Sequence, residues 1–72
     1  MKLPVVSGEE AVRALARAGF CLVGQRGSHV KLRHPAGRVV IVPIHDELAP
    51  GTLKSILRQA GLTVEEFRRL LE

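Results

Sequence analysis

Residues 27–33 read Gly27-Ser28-His29-Val30-Lys31-Leu32-Arg33. In an extended strand, successive side chains point to opposite faces. A strand over 28–33 therefore sets Ser28, Val30 and Leu32 on one side and His29, Lys31 and Arg33 on the other. The first side can pack against helices. The second carries one titratable imidazole in line with two permanent cations. Such alternation belongs to a sheet with one covered face and one open face.

The flanking sequence supplies partners for that strand. Phe20 to Arg26 begins with the apolar, β-leaning run Phe20-Cys21-Leu22-Val23, and Gly24 and Gly27 bracket a turn or bulge. On the other side, His34-Pro35-Ala36-Gly37 is a turn, and Arg38 to Val42 is a third strand. The unbroken run Val39-Val40-Ile41-Val42 predicts heavy burial. Pro43 ends this strand or places it at an edge. Three strands so closely linked predict an antiparallel meander.

Helices flank the meander. Ser7 is followed three residues later by Glu10, a capping box, and Val6 is placed to staple onto Ala11. Val12, Leu15 and Ala16 share a face, Arg13 and Arg17 form the opposite stripe, and Gly19 suits the C-cap, which predicts a helix over 8–18. Pro50 opens a second helix with the stripe Leu53, Ile56, Leu57 and Ala60, stopped by Gly61. Thr63 and Glu66 form another capping box for a short last helix carrying Val64, Phe67, Leu70 and Leu71. The expected class is α+β in the order α-β-β-β-α-α, with the helices on one face of the sheet.

A chain of 72 residues predicts one domain over 1–72. A domain this small buries about 60% of the surface its unfolded form exposes, so modest stability is expected. It leaves no room for a cofactor domain, and no cofactor is expected. With two Phe and no Trp or Tyr, the core must be aliphatic. The single Cys21 cannot form an internal disulfide, which fits a reducing cytoplasm, and within its apolar run it is expected in the core. No signal peptide follows from Met1-Lys2-Leu3-Pro4, and no apolar run approaches the ~20 residues that span a bilayer, so no membrane partner is expected.

The charge is unevenly placed. The formal net charge is +4. Arg13, Arg17, Arg26, Lys31, Arg33 and Arg38 lie between residues 11 and 45, and no carboxylate interrupts them. Net charge alone is compatible with a soluble basic surface. The acid-free central stretch points more directly to a polyanionic partner.

Most catalytic chemistries find no support in the residues. No carboxylate pair falls near the sheet, no triad around Ser28 or Cys21 is visible, and the phosphate-cradling loop and dinucleotide fingerprint are absent. His29, His34, His45 and Cys21 lack zinc-type spacing, so no metal site is expected. His29 remains. An imidazole moves protons near neutral pH, and RNA carries its own nucleophile in the 2′-hydroxyl. The candidate set for a metal-free cut is His29 with Lys31, Arg33 and either Arg26 or Arg38. Spacing alone fits a solvent-facing strand histidine without a role equally well. Gly27-Ser28 likewise reads as a turn that lets the strand begin. His45 follows Pro43 in a loop that a simple register would bring to the same rim, although spacing favours a histidine bonded to nearby backbone. His34 precedes Pro35 in a turn and receives no function. Residues 52–71 also read as helix-turn-helix, but Glu65 and Glu66 at the start of the last helix would repel DNA phosphates. A helical hairpin closing the core is the stronger reading.

Taken together, the chain resembles the HicA toxin family, also called YcfA-like, of toxin–antitoxin modules. The resemblance rests on Leu3-Pro4-Val5-Val6-Ser7-Gly8, Ala18-Gly19-Phe20, Gly27-Ser28-His29, His34-Pro35 with Gly37, Val42-Pro43-Ile44-His45, Gly51-Thr52-Leu53, Ile56 to Gly61, and Glu66-Phe67. Each piece is weak, but their joint order and spacing are specific. The resemblance implies a fold like the double-stranded-RNA-binding domain. It also implies a small ribonuclease that cuts mRNA without a metal, and a HicB-type antitoxin that blocks the active site. It assigns catalysis to His29, with Gly27 and Ser28 shaping the motif, and it leaves the role of His45 open. An ordinary duplex-RNA-binding domain grips phosphates with a lysine cluster at its second helix. Here Pro50-Gly51-Thr52-Leu53-Lys54 offers one lysine, which puts duplex binding through that helix in doubt.

Overall fold

The computed structural model describes residues 2–72; Met1 lies outside the described residues. Two reciprocal caps start the outer helices. Ser7 N donates to Glu10 Oε1 at 2.8 Å and Glu10 N donates to Ser7 Oγ at 3.0 Å, opening α1 (Gly8–Arg17). Ala18 caps that helix, and Gly19 turns the chain out at φ +99°. The meander follows as β1 (Cys21–Arg26), β2 (His29–Arg33) and β3 (Val39–Pro43), antiparallel and in that spatial order. α2 (Pro50–Ala60) starts with Pro50 in its first turn and stops at Gly61, φ +72°. Thr63 and Glu66 repeat the capping box for α3 (Val64–Leu71). The α+β order is the one the sequence predicts, with boundaries shifted by a residue: Phe20, Ser28 and Arg38 lie outside the strands and Pro43 lies inside.

The sheet is covered on one side only. Val30, Leu32, Val40 and Val42 point into a core completed by Leu15, Leu53, Ile56, Leu57 and Phe67. The helices stack over the β3 side of the sheet, with α1 and α2 against β3 and α3 against α1. This geometry corrects two expectations. The Val39–Val42 run is not buried throughout: Val40 and Val42 are fully buried, whereas Val39 and Ile41 remain 40% and 39% exposed. A run of apolar residues cannot override the two-residue period when only one face has a partner. Cys21 is exposed rather than in the core, because its pairing with Arg33 puts it on the uncovered side. Leu22 and Val23 are exposed as well, since β1 lies beyond the helix layer.

The helical hairpin expected over 52–71 does not form: α2 packs against β3 and α3 against α1, and each closes the core from its own side. Leu57 and Phe67 are buried, which leaves Phe67 unavailable to any groove. Two arginine contacts tie the ends of the chain to this layer: Arg17 Nη1 donates to Leu70 O at 2.6 Å, and Arg68 donates to Lys2 O.

The outer edge of β3 is partly occupied. Bonds from His34 N to Arg38 O and from Ile44 N to Ser28 O bracket the β2–β3 ladder and fix its phase. The outward-facing donors of β3 are therefore those of Val39 and Ile41, since Pro43 has none. Ile41 N donates to Gln59 Oε1 of α2 at 3.2 Å.

Candidate functional site

His29 stands first in β2, facing Arg26 on one side and Pro43 on the other. The two-residue loop Gly27-Ser28 places it there. Gly27 has φ +57° and Ser28 does not share the positive sign. That is the pattern of a type II′ hairpin turn, which calls for glycine at its first central position. Gln25 Nε2 donates to Gly27 O at 3.1 Å and steadies the loop. Ser28 contributes through its backbone: its carbonyl accepts from Ile44 N at 2.6 Å, holding the chain beyond β3 against the turn.

Arg26, His29 and Lys31 border one hollow on the open face, together with Gly24, Gln25 and Ile41. Gly24 lines the hollow without a side chain. It lies opposite Lys31 just past a bulge at Val23, and a Cβ there would meet nothing within 4 Å. A glycine in a strand commonly marks such a bulge, so the sequence carried that signal, whereas the contributions of Gln25 and Ile41 depend on register. Arg33 shares the face farther along β2, opposite Cys21 and Val39. None of the three strands carries a carboxylate. The face thus offers fixed positive charge around an exposed imidazole.

Arg38 stands apart from this cluster. Its Nη1 donates to Gln59 O at 3.3 Å, and its guanidinium packs over Gly61 at the C-terminal end of α2. A cation there complements the helix dipole. His34 is a structural residue. Its ring lies edge-on to Phe20 with centroids 5.1 Å apart, and its Nδ1 accepts from Ala36 N at 3.0 Å. His45 is exposed just past β3, and its carbonyl accepts from Gly8 N at 2.9 Å. Among the described residues, no three His, Cys, Asp or Glu side chains gather closely enough to hold a metal ion. No helix among them is long and apolar enough to cross a membrane.

Residues 8–62 match the family described as the HicA toxin of bacterial toxin-antitoxin. The chain belongs to the HicA toxin family. The match covers α1, the meander and α2 and ends before α3, the element that supplies the buried Phe67. A solved structure described as a toxin-antitoxin complex from Streptococcus pneumoniae contains a similar chain. It is 33% identical with a TM-score of 0.70, and the alignment covers 79% of this chain and 98% of that one. No curated protein matches. The three-stranded antiparallel sheet backed by helices is accordingly the fold of a HicA-like toxin.

Proposed function

We propose that this HicA-family toxin is an endoribonuclease that cuts mRNA in the cytoplasm without a metal, and that a HicB-type antitoxin neutralises it. The observation that carries the reading is His29: a solvent-exposed imidazole, fixed by backbone pairing on both sides, at the rim of a hollow with Arg26 and Lys31. In this reading His29 transfers the proton of the 2′-hydroxyl, and the cations stabilise charge developing on the phosphate. Arg33 extends the track for the RNA backbone along β2, while Gly27 and Ser28 hold the turn that aims His29. The open face also exposes Val39 and Ile41. That mixture of basic and aliphatic surface suits a protein partner that covers His29 and competes with RNA. The similar chain in a toxin-antitoxin complex supports the expectation of such a partner.

The deciding experiment incubates purified protein with RNA in EDTA, wild type beside His29→Ala. Cutting by wild type alone, leaving 2′,3′-cyclic phosphate ends, is the expected result. Equal cutting by both variants would remove His29 from the mechanism. RNA binding without cutting by either, with ribosomes supplied, would instead make the protein a non-catalytic binding module.

A further inference from the structure

We propose that His45 is the general acid that protonates the leaving 5′-oxygen, opposite His29 as general base; this rests on the ribonuclease reading above. The argument begins with register. The bond from Ile44 N to Ser28 O adds one rung to the β2–β3 ladder beyond the His29–Pro43 pair. Pro43 is buried although it pairs with His29, and Ile44 after it packs on the core and borders Val12 and Val30 on the helix side. His45, the next residue, is exposed, and a strand-like step from Ile44 sets it on the face that carries His29. On that step it is the diagonal neighbour of His29 across the β2–β3 ladder, and the Cα atoms of such neighbours sit roughly 7–8 Å apart. Side chains rising from that spacing on one face can flank a single phosphodiester.

The position is also held. Gly8 N donates to His45 O at 2.9 Å, and a Cβ on Gly8 would strike the Pro43 carbonyl. The start of α1 therefore clamps the backbone on either side of Ile44 while the imidazole of His45 stays free.

Chemistry then selects His45 from its neighbours. Cutting by the 2′-hydroxyl forms a bond from O2′ to phosphorus and breaks the bond from phosphorus to O5′. One proton leaves O2′ and one must reach O5′. His29 takes the first and His45 gives the second; exchange with water then restores both rings. Arginine does not surrender a proton, and a lysine ammonium is a weaker acid than an imidazolium. Arg26 and Lys31 border the His29 hollow, where they face the charge that develops on the non-bridging oxygens of the phosphorane.

The test uses two RNA oligomers with a single cleavable linkage, one ordinary and one with sulfur in place of the bridging 5′-oxygen. A thiolate leaves without protonation, so the second substrate needs no general acid. His45→Ala should slow cutting of the ordinary linkage by about 100-fold or more. It should cut the sulfur-bridged linkage within about tenfold of wild type, whereas His29→Ala should fail on both. His45→Gln should behave as His45→Ala, with melting temperatures of all variants near wild type. Unimpaired cutting of the ordinary linkage by His45→Ala, or equal impairment on both linkages, would overturn the assignment while leaving the ribonuclease reading intact. Failure of wild type on both linkages would instead overturn the ribonuclease reading itself.

Discussion

At His29 the side chain is solvent-exposed while the backbone is locked between two neighbouring strands. Removing the imidazole therefore loses little packing, and His29→Ala should unfold in urea within about 0.5 kcal/mol of wild type. Two residues earlier the balance reverses. Gly27 has no neighbour to clash with, yet its φ of +57° resists any Cβ. Gly27→Val should cost about 1–2 kcal/mol and reduce cutting, because the turn that aims His29 is strained rather than the hollow filled. Urea melts read beside the cleavage assay separate this from His29→Ala. The alternation that exposes His29 was legible from Val30 and Leu32 alone. The company it keeps was less so. Arg26 reaches the same rim because the loop has only two residues, while Arg38 leaves it for Gln59 O. Both are arginines flanking the same strand, and only the pairing distinguishes them.

Helix starts were the easiest elements to read, because each capping box is a local exchange between side chain and backbone. The N–H of Ser7, together with its hydroxyl, holds the Glu10 carboxyl below its ordinary 4.5, and Thr63 does the same for Glu66. A carboxyl whose folded pKa is depressed stabilises the fold fully above its unfolded value. That contribution is lost as pH falls through the depressed value. Wild type should therefore lose stability on acidification below about pH 5, and Glu10→Gln with Glu66→Gln should flatten that part of the profile in thermal melts at a series of pH values. Ser7→Ala and Thr63→Ala should each cost about 1 kcal/mol at neutral pH. Strand burial was harder to read. Val39 and Ile41 are chemically indistinguishable from Val40 and Val42, and only the absence of a second layer exposes them. Cys21 is the same lesson at the other edge. It should react with a thiol reagent in the folded protein, which a buried cysteine would resist.

The whole molecule divides labour between its layers. Helices supply stability, and the bare sheet face supplies charge. Phe67 is the largest fully buried side chain, and it comes from α3, beyond the residues matched to the family. Phe67→Ala should cost about 3–5 kcal/mol, enough to leave so small a domain largely unfolded by circular dichroism at 37 °C. Charge on the sheet should show in salt dependence. Lys31→Gln and Arg33→Gln should each lower the slope of log affinity against log salt for single-stranded RNA by about 0.7, measured in the His29→Ala background that the proposed mechanism leaves unable to cut. The amide of Gln59 has a consequence for assembly. With Ile41 N occupied and Pro43 lacking a donor, Val39 N is the one outward amide of β3 left to pair. The opposite border remains free to pair. An added strand would thus meet a fuller row of unpaired amides at β1 than at β3.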